Sequence, residues 1–147
     1  AGSGVLSLLM ARHGGAARVY AAEAAPGMAA LARDLVRRNG LEDVVKVLDG
    51  RVEDLELPEQ VDVIVSEWMG FYLVHESMLE SVLTARDRWL KPGGLMMPCA
   101  AKIWAAPVDA EGLRREVESY GCLHGLDLSP VGEAELARRC RDPQVEL

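Results

Sequence analysis

Two glutamates lie close together in the sequence, on either side of a loop rich in apolar residues. Glu67 follows the run Val-Asp-Val-Ile-Val at residues 61–65, which is typical of a buried parallel strand. Glu76 precedes apolar residues that recur at helical spacing, so the sequence predicts it on the first turn of an amphipathic helix. Because ligands bind at the carboxyl ends of strands in open α/β sheets, this loop is the candidate site.

Each of these glutamates also has an ordinary structural explanation. An acidic residue on the first turn of a helix complements the helix dipole, and a glutamate after a strand is usually solvated. The pair is harder to explain in this way, because two like charges in one loop among apolar neighbours such as Trp68 and Phe71 are costly. The pair therefore predicts a cationic ligand.

Near the amino end lie residues of the types that bind a nucleoside. Gly2 and Gly4 form a glycine turn that opens a helix, where the backbone can approach a ligand closely and free N–H groups are available. Glu23 ends the next predicted strand, about 20 residues later, a spacing that suits hydrogen bonds to ribose hydroxyls. A solvated strand end is the alternative for Glu23, but its combination with the glycine turn favours ribose binding.

The sequence Ser-Glu-Trp-Met-Gly at residues 66–70, followed by His-Glu-Ser-Met-Leu at residues 75–79, resembles the double-glutamate loop of the type I protein arginine N-methyltransferases. The resemblance extends from Ala1 to about Ser129. It implies methyl transfer from S-adenosylmethionine to arginine guanidinium nitrogens, which gives mono- and asymmetric dimethylarginine. In this family Glu67 and Glu76 would be the catalytic residues that clamp the guanidinium.

The same resemblance implies how the cofactor S-adenosyl-L-methionine is held. Val52 and Glu53 would hold the adenine, with Glu53 accepting a hydrogen bond from the exocyclic amine. The full predicted set of cofactor-binding residues is Gly2, Gly4, Glu23, Val52, Glu53 and Met78.

Strand and helix patterns alternate up to about residue 98, which predicts an α/β fold with parallel strands and helices on the sheet faces. By resemblance this is a Rossmann-like S-adenosylmethionine-dependent methyltransferase core at residues 1–98, with its first strand missing. Residues 99–147 would be the start of a β-barrel domain with a helical dimerisation arm, and residues 101–107 its first strand. Residues 91–94, Lys-Pro-Gly-Gly, are predicted to form a turn before a strand at residues 95–98.

Composition narrows the class of protein. Half of the 147 residues are hydrophobic, enough for a core, and the sequence predicts neither a membrane span nor a secretory signal. Three cysteines without metal-ligand spacing indicate reduced thiols and no metal site. The net charge of −7 disfavours direct nucleic-acid binding and is compatible with basic partners.

The expected partners are arginine-containing proteins, such as histone tails and Arg/Gly-rich proteins, and a second copy of the chain. The second copy is expected because the segment 110–147 is too apolar to project alone, although a small intramolecular helical cap is the alternative. Its apolar residues are Leu113, Val117, Tyr120, Cys122, Leu123, Leu126, Leu128, Val131 and Leu136. The resemblance implies a nuclear protein that acts on chromatin, and location in the cytoplasm as well stays open.

Two other functions remain open at this point. A non-catalytic module that dimerises or binds arginine peptides could retain the paired glutamates. A small-molecule methyltransferase or a nucleotide-dependent dehydrogenase would explain the glycine turn and Glu23 equally well, but it leaves the paired glutamates without a purpose. Because the first strand is predicted to be missing, these 147 residues alone are expected to be inactive.

Overall fold

The first part of the chain alternates helices with parallel strands. A computed structural model describes residues 1–107, 109 and 111–141. The chain divides into one compact unit at Ala1–Ile103 and a second that begins at Trp104, whereas the sequence places the change of domain after residue 98. The first unit contains helices α1 (Val5–Arg12), α2 (Pro26–Arg38) and α3 (Met78–Trp89), strands β1 (Val19–Glu23), β2 (Val45–Asp49), β3 (Val61–Val65) and β4 (Leu90–Met97), and a 3-10 turn at Val52–Asp54.

The strands form two parallel pairs. β1 pairs with β2, and Glu23 lies opposite Asp49 at their carboxyl ends. β3 pairs with β4, and Val65 lies opposite Met97. Parallel neighbours need a crossover connection, which α2 and α3 supply. The predicted α/β organisation is therefore present, but the described residues include no strand that bonds to both pairs.

Strand β4 contains the residues that the sequence predicted as a turn. Val61 pairs with Leu90 and Val63 with Leu95, so two steps along β3 (61 to 63) correspond to five along β4 (90 to 95). The three extra residues form a bulge, in which Gly93 has a φ of 78°. The prediction of a separate turn at 91–94 is wrong because the backbone returns to the same partner strand after the irregularity.

Buried aliphatic residues join α1 and α2 to the first strand pair. Val19, Ala21, Val36 and Val45 form the core of this cluster. Gly4 begins α1 with a φ of 82°, and a β-carbon there would lie 3.2 Å from the β-carbon of Ala32, a buried residue of α2. Glycine at this position therefore allows the start of α1 to approach α2 closely.

Over its described residues, the second unit contains two helices, α4 (Glu111–Ser119) and α5 (Ser129–Arg141). Between them Leu123 and Leu126 exchange two backbone hydrogen bonds of 3.0 Å, which closes a tight turn. Residues 101–107 are without regular secondary structure, so the strand predicted there is not formed. A strand requires a neighbour, and no described strand pairs with this segment.

The packing of α5 on α4 depends on a buried glycine. A β-carbon on Gly132 would lie 2.8 Å from the carbonyl oxygen of Val117. Gly132→Ala should therefore lower the free energy of unfolding, because overpacking costs about 1–3 kcal/mol and the gain in helix propensity is only about 1 kcal/mol. Thermal unfolding followed by circular dichroism measures the change. Gly112→Ala in α4 is the control, since a β-carbon there meets no atom within 4 Å; an equal effect of both substitutions would contradict the explanation.

None of the described helices combines the length and hydrophobicity that a membrane span requires. The described residues also contain no cluster of three or more His, Cys, Asp or Glu side chains that could hold a metal ion.

Candidate active site

The backbone after β3 presents Glu67 at the carboxyl end of the strand. The N–H of Ser66 donates to the carbonyl of Met97 at 2.9 Å, which extends the pairing with β4 by one residue. Trp68 is buried, whereas Glu67 and Met69 on either side of it are exposed. The indole therefore anchors the loop, and the Glu67 carboxylate remains accessible to a ligand.

The loop continues into a tight hairpin with unusual backbone angles. Gly70 and Leu73 exchange backbone hydrogen bonds of 3.2 and 2.9 Å. Tyr72 and Leu73 have φ values of 49° and 67°, in the left-handed region that residues with large side chains rarely adopt. Such strain is maintained only where surrounding contacts require it, and it is frequent at functional sites.

Glu76 lies in a turn, two residues before α3, and not on the first turn of the helix as the sequence predicted. The helix begins at Met78 because Ser77 has a φ of 56°, which is incompatible with a right-handed helix. The Glu76 side chain folds back over Gly70. A β-carbon on Gly70 would lie 2.7 Å from both Cγ and Cδ of Glu76.

Both loop glutamates are exposed, and the described part of the chain contains no lysine, arginine or histidine that forms an ion pair with either one. The structure thus places Glu67 and Glu76 on one loop. Gly70 lies between them in the sequence and contacts the side chain of Glu76. The same loop carries the exposed apolar side chains of Phe71, Tyr72 and Val74. This arrangement leaves both negative charges available to a cation from outside the described residues.

Glu23 is fixed at the carboxyl end of β1 by hydrogen bonds from the main chain. The N–H of Gly2 donates to its Oε2 at 2.6 Å, and the N–H of Ala25 donates to its Oε1 at 2.8 Å. Burial raises the pKa of Glu23, whereas the hydrogen bonds from the N–H groups of Ala25 and Gly2 favour the ionised form, and the pKa is lowered. The sequence pattern separates Gly2 and Glu23 by about 20 residues. The structure brings them into direct contact through the hydrogen bond from the N–H of Gly2.

Glu53 lies in the 3-10 turn after β2. The Ser81 hydroxyl donates to its Oε1, and Arg51 Nε donates to its Oε2 at 3.4 Å. The Ser81 hydroxyl is the main cause that lowers the pKa of Glu53, and its own backbone N–H and Arg51 add to the effect. An ionised carboxylate has about four acceptor positions, so Glu53 can still accept from a ligand amine.

The remaining predicted cofactor residues lie at the edges of these elements. Val52 begins the 3-10 turn and is half-buried, and Met78 begins α3 and is 41% exposed. Sequence reasoning missed Ser81 and Arg88, both on α3, which contact the turn that carries Glu53. The two residues are seven positions apart, which is two helical turns. This spacing is the feature of the sequence that could have placed them on the same face of α3.

Comparison with known proteins gives the family. A model described as "Methyltransferase domain" matches residues 1–94. The chain is 47% identical over 148 residues to probable protein arginine N-methyltransferase 6 of Arabidopsis thaliana, covering 99% of this chain and 33% of that protein. It is 55% identical over 107 residues to protein arginine N-methyltransferase PRMT10 of the same plant, covering 73% of this chain and 27% of that protein.

Solved structures agree with this result. The crystal structure of Arabidopsis thaliana protein arginine methyltransferase 10 superposes with a TM-score of 0.74 at 41% identity, covering 94% of this chain and 43% of that one. A Trypanosoma brucei PRMT1 enzyme-prozyme heterotetrameric complex with AdoHcy superposes with a TM-score of 0.70 at 34% identity. The match covers 90% of this chain and 41% of the chain in that complex.

The chain belongs to the methyltransferase domain family. The predicted resemblance to the protein arginine N-methyltransferases is confirmed. The histidine at residue 75, before the second glutamate of the loop, also predicts that protein arginine methyltransferase six is the member this chain most resembles, and the likeness to protein arginine N-methyltransferase 6 agrees with that prediction. The chain spans about a third of the length of the curated relatives it matches first, with 33% and 38% of their lengths covered.

Proposed function

We propose that this protein is an S-adenosylmethionine-dependent methyltransferase that modifies arginine side chains of other proteins. One observation carries the proposal: Glu67 and Glu76 lie exposed on one strained loop at the carboxyl end of β3, without a cationic partner among the described residues. A guanidinium is a planar cation whose N–H donors match carboxylates in pairs, so it fits such a loop. The names of the relatives support the same substrate class.

The residues near the amino end fit the adenosyl part of the cofactor. A β-carbon on Gly2 would meet no atom within 4 Å, so the backbone there is open to a ligand. Glu23, at the adjacent strand end, is an ionised acceptor suited to ribose hydroxyls, and Glu53 is an ionised acceptor suited to an adenine amine. The similar Trypanosoma brucei PRMT1 assembly is a complex with AdoHcy, the demethylated form of this cofactor.

The loop glutamates would act on the substrate through charge and position. When bound, S-adenosylmethionine supplies an electrophilic methyl group on a sulfonium. A guanidinium nitrogen is a poor nucleophile because its lone pair is delocalised over the cation. The carboxylates of Glu67 and Glu76 draw positive charge toward the nitrogen that is not attacked, which localises the lone pair on the other and orients it. The proton released as the methyl transfers can pass to one of these carboxylates.

We also propose the substrates, products and location of this protein from the family resemblance. The substrates are histone tails and Arg/Gly-rich proteins, and the products are mono- and asymmetric dimethylarginine, as in type I enzymes. The protein is located in the nucleus, alone or together with the cytoplasm. It acts there on chromatin and transcription. Direct binding to nucleic acid is not expected, since the net charge is −7.

The test is a methyl-transfer assay on the full-length protein with histone tails and an Arg-Gly peptide, followed by mass spectrometry of the products. We expect methylated arginine, and fragmentation spectra distinguish asymmetric from symmetric dimethylation. Cofactor binding without any modified arginine would favour a small-molecule methyltransferase. Binding of the Arg-Gly peptide without cofactor binding would favour a non-catalytic module.

We also propose a homodimer formed through the second unit. Exposed apolar side chains lie in the turn between α4 and α5 and on α5: Leu123, Leu126, Val131 and Leu136 have exposed fractions of 52, 64, 49 and 40%. Trp104, where the unit begins, is 85% exposed. Cys122 is exposed as well, Val117, Tyr120 and Leu128 are half-buried, and the Leu113 side chain lies outside the described part of the chain. Exposed apolar side chains in the turn between two helices and on the second helix are suited to burial in a partner.

Leu126→Asp should convert the dimer to monomers. A two-fold interface is self-complementary, so one substitution places a charge in the contact twice. Leu128 is a weaker probe on its own because it is half-buried within its own chain. Sedimentation velocity of the full-length protein measures the change. The control is Glu133→Ala, because Glu133 is also an exposed residue of the second unit. A wild type that is monomeric at micromolar concentration would remove this proposal.

A further inference from the structure

Helix α3 holds the turn that carries Glu53. Ser81, Ala85 and Arg88 are four and three residues apart, so they lie on one face of the helix. From this face the Ser81 hydroxyl donates to the Glu53 carboxylate. Arg88 donates from Nη1 to the carbonyl oxygen of Glu53 at 2.7 Å and from Nη2 to the carbonyl oxygen of Leu55 at 2.9 Å.

The Arg88 guanidinium is held in place by its own surroundings. Its central carbon lies 4.7 Å from the ring centroid of Trp89, which is itself buried. A third contact, from Nη2 to the Glu56 carboxylate at 2.6 Å, involves a side chain that is 84% exposed, so solvent screens it. The two bonds to backbone carbonyls are therefore the main attachment between the helix and the turn.

We infer that Arg88 is a positioning residue for cofactor recognition: it fixes the Val52–Asp54 turn so that the Glu53 carboxylate stays directed toward the adenine amine. This inference rests on the proposed function. Arg88 does not touch the cofactor; it acts through Glu53. Because α3 begins two residues after Glu76, the same helix connects the substrate loop at its start with the cofactor turn along its side.

The substitution Arg88→Lys tests the role with little change in helix propensity or charge. Lysine lacks the planar fork that reaches two carbonyls at once. Arg86→Ala is the control, since Arg86 lies on the same helix and, among the described residues, bonds only to its neighbour Asp87. The probes are S-adenosylhomocysteine and S-inosylhomocysteine, in which a carbonyl replaces the adenine amine, and binding to the full-length protein is measured by calorimetry.

We expect Arg88→Lys to weaken S-adenosylhomocysteine binding about tenfold, which corresponds to the loss of one charge-assisted hydrogen bond. The inosyl compound should be affected much less, so the preference for adenine over hypoxanthine falls toward one. Arg86→Ala should change neither quantity. Hydrogen exchange should also become faster at the amides of Asp54 and Leu55, which donate within the turn to Arg51 and Val52.

Other outcomes would overturn the inference. Equal weakening of both compounds by Arg88→Lys would show a general loss of structure, and unchanged exchange at Asp54 and Leu55 would show that Arg88 does not hold the turn. A wild type that binds neither compound would reject the proposed function instead. In that case the exchange measurement alone decides whether Arg88 fixes the turn, with unchanged rates counting against it.

Discussion

Glu67→Gln and Glu76→Gln should each lower methyl transfer to arginine by about 10² or more, because each removes one of the charges placed where the guanidinium binds. Glutamine nearly preserves the shape of the side chain, so the loop should keep its conformation. Affinity for S-adenosylmethionine should stay close to that of the wild type, since the cofactor residues lie on other elements. Single-turnover kinetics and calorimetry on the full-length protein measure the two quantities.

The control for this pair is Glu80→Gln. Glu80 is also exposed and acidic, but it lies on the first turn of α3, where it complements the helix dipole. Its replacement should leave the rate nearly unchanged. Near-normal turnover in either the Glu67 or the Glu76 variant would reject the hypothesis that these two carboxylates bind the guanidinium, whatever the control shows.

Gly70→Ala should lower the rate by a similar factor without lowering the melting temperature. The added β-carbon would lie 2.7 Å from Cγ and Cδ of Glu76, so the carboxylate must move away from its position. Because the obstructed atoms belong to a flexible, exposed side chain, the movement costs little folding free energy. A displacement of about 1 Å at a reacting group nevertheless can lower a rate about 10²-fold.

The melting temperature and the turnover number of the variant are compared with those of Gly27→Ala. Gly27 lies in α2, and a β-carbon there meets no atom within 4 Å. That control should be as active as the wild type. If Gly70→Ala retained full activity, the observed position of the Glu76 side chain would be irrelevant to catalysis.

The parts of the fold that depend on local periodicity could be predicted from the sequence. The sequence predicts strands at residues 18–23, 44–48 and 61–65 and helices at residues 5–11 and 26–39. The observed β1, β2, β3, α1 and α2 begin and end within one residue of these positions, because apolar spacing and Pro or Gly boundaries define them. The contact of Glu23 with the glycine turn was also predictable, since a carboxylate at a strand end and an adjacent helix start meet at one sheet edge.

Contacts that depend on tertiary structure could not be predicted in this way. The apolar pattern that suggests a helix around Glu76 contains no sign that Ser77 takes a positive φ and delays the helix to Met78. The attachment of Arg88 to two carbonyls joins residues more than 30 positions apart and leaves no local pattern. The bulge in β4 likewise depends on the return of the chain to β3.

The left-handed backbone angles at Tyr72, Leu73 and Ser77 have a consequence for how this segment can evolve. Each non-glycine residue in that region costs roughly 1 kcal/mol or more, so glycine at any of the three would relieve strain. Variants chosen from a library for heat resistance alone should therefore accumulate glycine or asparagine here. Variants chosen for turnover should keep the native residues, because a relaxed hairpin no longer fixes Glu76, and the two kinds of selection would drive the same short segment toward different sequences.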